Sequence, residues 1–255
     1  MKIMAPKALI LTSDKPRHRF FAATIASRFL APFALLEQKK SYYTEQLANS
    51  EAVRQHFARN AEAEALWFQI DANAFEPEQR RVPDINDPAC IEWARDQGFD
   101  VVCLYGTGIL GPQWLSAFPD RIVNLHLGLS PYYRGSATLF WPFVHRELHL
   151  LGTTIHLATA KVDGGNILAR VRPDLREQED YYAITHRLIR DSILQVPTVI
   201  GDYLSGTVTA MPQEQVKGRF CRKADFNDLA LQSALDYAGT GLAAAEIANI
   251  RSLMP

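Results

Sequence analysis

Short continuous apolar runs alternate with amphipathic stretches along this chain. Ala8–Thr12 is an uninterrupted apolar run, the pattern of a parallel strand buried on both faces. A turn at Ser13–Arg19 precedes Phe20–Phe29, which reads as an amphipathic helix. Ala34–Leu36 is a second short strand, closed by Glu37–Lys40. Residues 41–73 contain Ala, Glu, Gln and Arg but neither Gly nor Pro, and predict one or two inserted helices with solvated charged faces. Residues 74–90 form a connection punctuated by Pro and Asp. There Asp87-Pro88 supplies an N-cap and a proline at the first helical position, starting a helix that runs to Gln97-Gly98. Phe99–Leu104 is a buried strand, and Gly106–Pro112 turns into a helix over Gln113–Phe118. Ile122–Leu127 is the next strand, broken by Gly128, Pro131 and Gly135. The pattern then predicts a helix over Thr138–Arg146, a strand over Gly152–Leu157, a turn at Asp163-Gly164-Gly165 and a strand over Asn166–Arg172. A long helix over Asp180–Ser205 carries Pro197 inside it as a kink. The last stretch holds a short basic segment, Lys217–Lys223, and an alanine-rich helix.

Strands alternating with helices predict an α/β fold with a wound, mostly parallel sheet and helices on both faces. The 255 residues and 47% hydrophobic content suffice for one large domain. We expect that domain over residues 1–210, with 211–255 as a helical tail rather than a second domain. A formal net charge of -1 gives no broad basic field and argues against nucleic acid as a partner. Cys90, Cys103 and Cys221 are scattered without metal-ligand or disulfide spacing, as suits a reducing compartment. The first residues lack the apolar run of a signal peptide, and Phe29–Leu36 is too short to span a bilayer. A soluble, cytoplasmic protein is therefore expected, with a homo-oligomer left open.

Candidate chemistry begins with Asn124 and His126, two residues apart on one face of an otherwise apolar strand. Buried polar groups there need partners or a task. Gly106-x-Gly108-x-x-Gly111 has dinucleotide-binding spacing after a strand, but no acidic residue ends the following strand to hold a ribose. A glycine loop approaching a flat ligand is the better reading. His145 and His149 are four apart in an order that is not the metalloprotease one, so no metal site is expected. No Gly-x-Ser-x-Gly elbow is present. Thr154 and His156 share a face of their strand, and Asp163 sits seven residues on in a glycine-flanked turn. Taken singly, His156 is ordinary core and Asp163 an ordinary turn residue. If their strands are neighbours, Asn124, His126, His156 and Asp163 meet at one edge of the sheet.

The order Asn124-x-His126, Pro131, Arg134-Gly135, Gly152-x-Thr154-x-His156 and Asp163-x-Gly165 resembles the formyltransferases that use 10-formyltetrahydrofolate, firmly over Phe99–Val171 and more weakly over Ala8–Gln38. The resemblance implies a Rossmann-like catalytic domain. It also implies formyl transfer from 10-formyltetrahydrofolate to a primary amine of a small-molecule acceptor, with no metal. Asn124, His126 and Asp163 would be the catalytic residues, with His156 behind them. Leu104, Tyr105, Gly106, Thr107, Gly108, Ile109 and Leu110 would line the folate pocket, and Ser130, Arg134 and Gly135 the acceptor entrance.

The chemistry matches those residue types. An amine attacking the formyl carbon creates a tetrahedral oxyanion. Asn124 and His126 would stabilise it, at roughly 3–4 kcal/mol per donor, and Asp163 would assist proton transfer. Arg17 and Arg19, with Lys15 and His18 after the first strand, would meet an anionic part of the acceptor, such as the phosphate of an amino sugar nucleotide. The purine-pathway members' phosphate loop after that strand is absent from Thr12–Arg19. Two other readings stay open. One is a hydrolase releasing formate with the same residues; the other is a nucleotide-binding oxidoreductase or non-catalytic binding module built on the Gly106 loop.

Overall fold

The computed structural model describes residues 6–38 and 50–254. Its centre is a seven-stranded sheet in the order β3-β2-β1-β4-β5-β7-β8. The strands are β1 (Lys7–Thr12), β2 (Leu30–Glu37), β3 (Glu78–Val82), β4 (Val101–Leu104), β5 (Ile122–His126), β7 (Thr153–Leu157) and β8 (Ile167–Val171). The first five pair in parallel, whereas β7 is antiparallel to both β5 and β8.

Alternation along β1 explains the layering. Ala8 and Ile10 enter a large core that also holds Phe21 and Ile25 of α1 (Pro16–Ala26) and Ile184 and Ile193 of α6 (Tyr181–Leu204). Leu9 and Leu11 enter a second core with Ile91 and Ala94 of α3 (Pro88–Asp96) and Trp114 of α4 (Pro112–Ala117). A strand apolar on both sides is therefore covered on both sides. The chain winds outward through β2 and β3, then returns to lay β4 against the other side of β1. That reversal opens a crevice beyond the carboxyl ends of β1 and β4.

The sequence pattern missed β3, within the connection expected at 74–90. Its residues Glu-Gln-Arg-Arg-Val carry no apolar alternation, because as an edge strand it buries only Val82. Arg80 instead lies over the Trp93 ring at 4.6 Å, and Arg81 pairs with Asp14. Asp87 accepts from the Ala89 N–H at 2.9 Å and caps α3 as its sequence predicts. The helix expected over Thr138–Arg146 is shorter, α5 spanning Trp141–Val144.

The predicted insertion is α2 (Glu51–Trp67); its portion at 41–49 lies outside the described residues. Within α2, His56 is buried against α6, its Nδ1 2.9 Å from the Tyr182 hydroxyl. The tail holds α7 (Asp228–Ala238) and α8 (Ala244–Ser252), and Leu231, Ala234, Ile247 and Ile250 join the large core. It also contributes a strand, β9 (Arg219–Cys221), which pairs in parallel with β6 (Tyr133–Gly135) outside the main sheet. Among the described residues no helix is long and apolar enough to cross a membrane.

Burial lowers the pKa of His56 from 6.5 to about 4, with Arg59 and His186 adding to the effect. The unfolded chain thus takes up a proton that the folded one excludes, so this contribution to stability is complete above pH 6.5 and is lost between 6.5 and 4. The loss is on the order of 3 kcal/mol. Urea titrations across that range should show the midpoint falling with pH, and His56→Gln should flatten the fall.

Candidate active site

A cleft of about 950 Å3 lies over the carboxyl ends of β1, β4 and β5. One side is the loop after β4, with Leu104, Tyr105, Gly106, Thr107, Gly108, Ile109 and Leu110 all on its wall. Gly106 has φ +75°, and a Cβ there would come within 2.4 Å of the His18 ring, so the loop packs on α1 only as glycine. Asn86 holds the loop from outside, donating to the Ile109 carbonyl at 3.0 Å and accepting from the Gly111 N–H at 2.7 Å. Lys15, Arg17, Phe57, Asn60, Glu64 and Phe226 also line the cleft, so α2 and the tail help to wall it.

Asn124, His126, His156 and Asp163 come together on the cleft wall. Strand pairing places Asn124 opposite His156 and His126 opposite Thr154. The route taken by Asp163 is less direct. Leu157, the last residue of β7, pairs with Val123 near the beginning of β5, and the Ala158 N–H donates to the Ile122 carbonyl at 2.8 Å. Yet an Asp163 carboxylate oxygen, Oδ1, lies 3.3 Å from Nδ1 of His126 at the far end of β5. The segment 158–166 therefore folds back over the sheet. Gly165 permits this, since a Cβ there would be 1.8 Å from the Leu157 carbonyl oxygen.

Hydrogen bonds fix each side chain. Nδ1 of His156 donates to the Leu157 carbonyl at 2.8 Å, leaving Nε2 to accept from the Asn124 amide at 3.0 Å. Burial, followed by the nearby His126, lowers the His156 pKa to about 4, so this ring is a neutral acceptor at neutral pH. The contact sets the orientation of the Asn124 amide and leaves its second N–H for the cleft. His126 is 6% exposed, and its Nε2 lies 3.0 Å from the Tyr133 carbonyl, which can only accept. Nε2 is thus the donor, and Nδ1 faces Asp163. The other Asp163 oxygen, Oδ2, accepts from the Gly135 N–H at 2.9 Å. Both nitrogens of His126 are therefore engaged, and of the two expected oxyanion donors only Asn124 keeps an N–H directed to the cleft.

Thr154 braces the loop that follows β5. Its hydroxyl donates to the Gly128 carbonyl at 2.7 Å and accepts from the Ser130 N–H at 2.9 Å. Ser130 is fully buried, its hydroxyl 3.3 Å from the Asp163 carbonyl, and it is not part of the cleft wall; nor is Arg134. Gly135 is part of it. Of the cations after β1, Arg17 lines the cleft and pairs with Glu64, whereas Arg19 turns away to Asp14 at 2.7 Å. His145 and His149 do not form a pair; His145 Nδ1 meets the Tyr133 hydroxyl at 3.0 Å. Among the described residues no group of three or more His, Cys, Asp or Glu side chains is arranged to hold a metal ion.

Three features of the site have no clear sequence signal: the Tyr133 carbonyl, the Glu64 partner of Arg17, and the α2 wall. Gly128 does have one, as a glycine two residues after His126. A Cβ at Gly128 would stand 2.4 Å from His126 Nε2 and 2.6 Å from the Tyr133 oxygen. Gly128→Ala should push the ring off its carbonyl and lower unfolding free energy by about 1–3 kcal/mol in a denaturant titration. A change in the His126 ring resonances should accompany it.

Several solved structures share the overall fold. An N-formyltransferase from Helicobacter canadensis, solved with folinic acid and dTDP-3-aminofucose, superposes with a TM-score of 0.58 at 12% identity, over 90% of this chain and 79% of that one. The formyltransferase PseJ from Anoxybacillus kamchatkensis, solved with a UDP-linked formamido sugar and tetrahydrofolate, gives 0.52 at 16% identity, over 92% and 100%. Phosphoribosylglycinamide formyltransferase from Streptococcus pneumoniae gives 0.55 at 19% identity, over 78% and 99%. These likenesses establish a shared Rossmann-like fold. A family model described as formyl transferase matches residues 34–200, which include β5, β7 and the Asp163 turn, and the chain belongs to that family of formyl-transferring enzymes.

Proposed function

We propose that this enzyme moves a formyl group from 10-formyltetrahydrofolate to a primary amine on a small anionic acceptor, with Asn124, His126 and Asp163 at the reacting centre. The observation that carries this reading is the convergence of an amide, an imidazole and a carboxylate on the wall of one cleft. The wall at Leu104–Leu110 suits a pterin: Leu104, Ile109 and Leu110 offer apolar surface, and Gly106 and Gly108 let the backbone come close to a flat ring. The folate, when bound, supplies an activated formyl carbon.

The chain's own residues supply the rest. The free N–H of Asn124 is available to the oxygen of that carbon as negative charge grows on it, a contribution of roughly 3–4 kcal/mol. The His126–Asp163 pair lines the cleft, where it would take the proton of the attacking amine and help deliver it to the leaving nitrogen of the folate. Gly135 N–H and Tyr133 C=O hold that pair in place from behind.

On the acceptor side, Arg17 and the exposed Lys15 offer positive charge. Burial, then the adjacent Arg17, lowers the Lys15 pKa, and Glu64 opposes the shift. The Helicobacter and Anoxybacillus formyltransferases were solved with an amino sugar nucleotide and a formamido sugar nucleotide, and an amino sugar nucleotide is the first candidate here.

Amino sugar nucleotides and other anionic amines should be screened with 10-formyltetrahydrofolate while folate absorbance is followed. Amine-dependent loss of the formyl donor is expected; formate release that needs no amine would establish a hydrolase instead. With an acceptor in hand, His126→Ala and Asp163→Asn should each lower kcat by at least about 100-fold. A fully active Asp163→Asn enzyme would remove that residue from the mechanism. Arg17→Glu should raise the acceptor's KM with little effect on the folate's, and unchanged acceptor kinetics would refute the role given to Arg17.

A further inference from the structure

The segment from Met211 to Cys221 touches both of the loops that hold the His126–Asp163 pair. Met211 exchanges backbone hydrogen bonds of 2.7 and 2.8 Å with Ile167 at the start of β8. From there Gln213 reaches into the folded-back loop, donating from Nε2 to the carbonyls of Asp163 at 2.8 Å and Gly165 at 2.9 Å. Glu214 pairs with Arg170, whose Nε donates to the Ser130 carbonyl at 3.1 Å. Further on, the Arg219 N–H donates to the Tyr132 carbonyl at 2.7 Å, and β9 runs beside β6.

The approach of the two segments is very close. A Cβ on Gly218 would stand 1.9 Å from the Pro131 carbonyl oxygen, and one on Gly135 would stand 2.2 Å from that of Cys221. Side chains lock the same contact: Arg219 Nη2 donates to Glu147 at 2.9 Å, and the other Glu147 oxygen accepts from the Tyr133 hydroxyl.

The arrangement matters because of what β6 carries. Tyr133 presents the carbonyl that takes the His126 Nε2 proton, and Gly135 presents the N–H that binds Asp163. β6 has three residues, lies outside the main sheet and, among the described residues, is paired to β9 alone. A strand so short has little order of its own, so its position is set by what is paired to it. Plain packing of the tail is already supplied by Leu231, Ala234, Ile247 and Ile250 in the core. Gln213 and Arg219 are polar, and their bonds end on the Asp163 turn and on the brace of β6.

We propose that Gln213 and Arg219 are positioning residues: segment 211–221 clamps β6 and the Asp163 turn against each other and so sets the orientation of His126 and Asp163. This rests on the reading of those two residues as part of the reacting centre.

The test is spectroscopic and needs neither formyl donor nor acceptor. Ring 15N and proton resonances of 15N-histidine-labelled protein would be recorded, with His126 assigned by its loss in His126→Asn. In the unaltered protein His126 should show a protonated, hydrogen-bonded Nε2. Gln213→Met removes both donors at similar volume, and Arg219→Met removes the ion pair. Each should shift the His126 resonances and speed exchange of its Nε2 proton by about tenfold or more, as expected when a local contact opens. Arg219→Lys, which keeps the pair, should restore the original spectrum. Tyr133→Phe breaks the same lock by a single oxygen and serves as a second variant should Arg219→Met fold poorly. His126 resonances that stay unchanged in folded Gln213→Met and in folded Arg219→Met or Tyr133→Phe would overturn the proposal. Because no turnover is measured, that outcome would leave the formyl-transfer reading standing, and failure of the amine screen would leave this one standing.

Discussion

The structure depends on making one carboxylate tolerable in a nearly closed place. Asp163 is 12% exposed and lies beside two buried imidazoles. A charge out of water is costly unless its oxygens are occupied by donors. Here one oxygen takes the Gly135 N–H, and the other lies 3.3 Å from His126 Nδ1, which donates to it when the ring carries its second proton. Each of those partners must itself be held. His126 is held by the Tyr133 carbonyl, and Gly135 by the pairing of β6 with β9. The demand for satisfied polar groups thus spreads outward from one side chain until it has organised the loop after β5, the return from β7 and the tail.

The sheet provides the setting. A strand buried on both faces needs helices on both faces, and winding the chain in both directions from β1 leaves an open crevice where the direction reverses. The glycine loop after β4 and the end of β5 both open into that crevice. The two antiparallel strands added beyond β5 bring His156 opposite Asn124, which a further parallel strand reached by a crossover helix would have no reason to do. His156 is kept neutral by burial and holds the Asn124 amide in one orientation.

Much of the wound sheet was legible because buried parallel strands are continuous apolar runs and Asp87-Pro88 is an unambiguous helix start. β3 was not, since an edge strand sheathed in Arg and Gln owes its existence to the neighbour it pairs with rather than to its own pattern. β9 was hidden for the same reason, three residues inside a basic segment that reads as solvated surface. In the site, Asn124 and His126 stood out as polar residues on an apolar strand, and Gly106 through its loop. Arg17 and Arg19 looked equivalent as neighbours in sequence. Helical geometry separates them, sending Arg17 to Glu64 in the cleft and Arg19 back to Asp14.

The sequence by itself determined the class of fold, the strand that carries the amide and imidazole, and the residue types of the centre, because periodicity and polarity are local properties. Tertiary structure alone decided how those groups are used. Which His126 nitrogen carries a proton follows from a carbonyl seven residues away. Asp163 reaches His126 only because its loop folds back across the sheet, and that loop is held by Gln213, fifty residues further on. Hydrogen bonds that satisfy buried groups are chosen by proximity in space, and no local pattern along the chain records them.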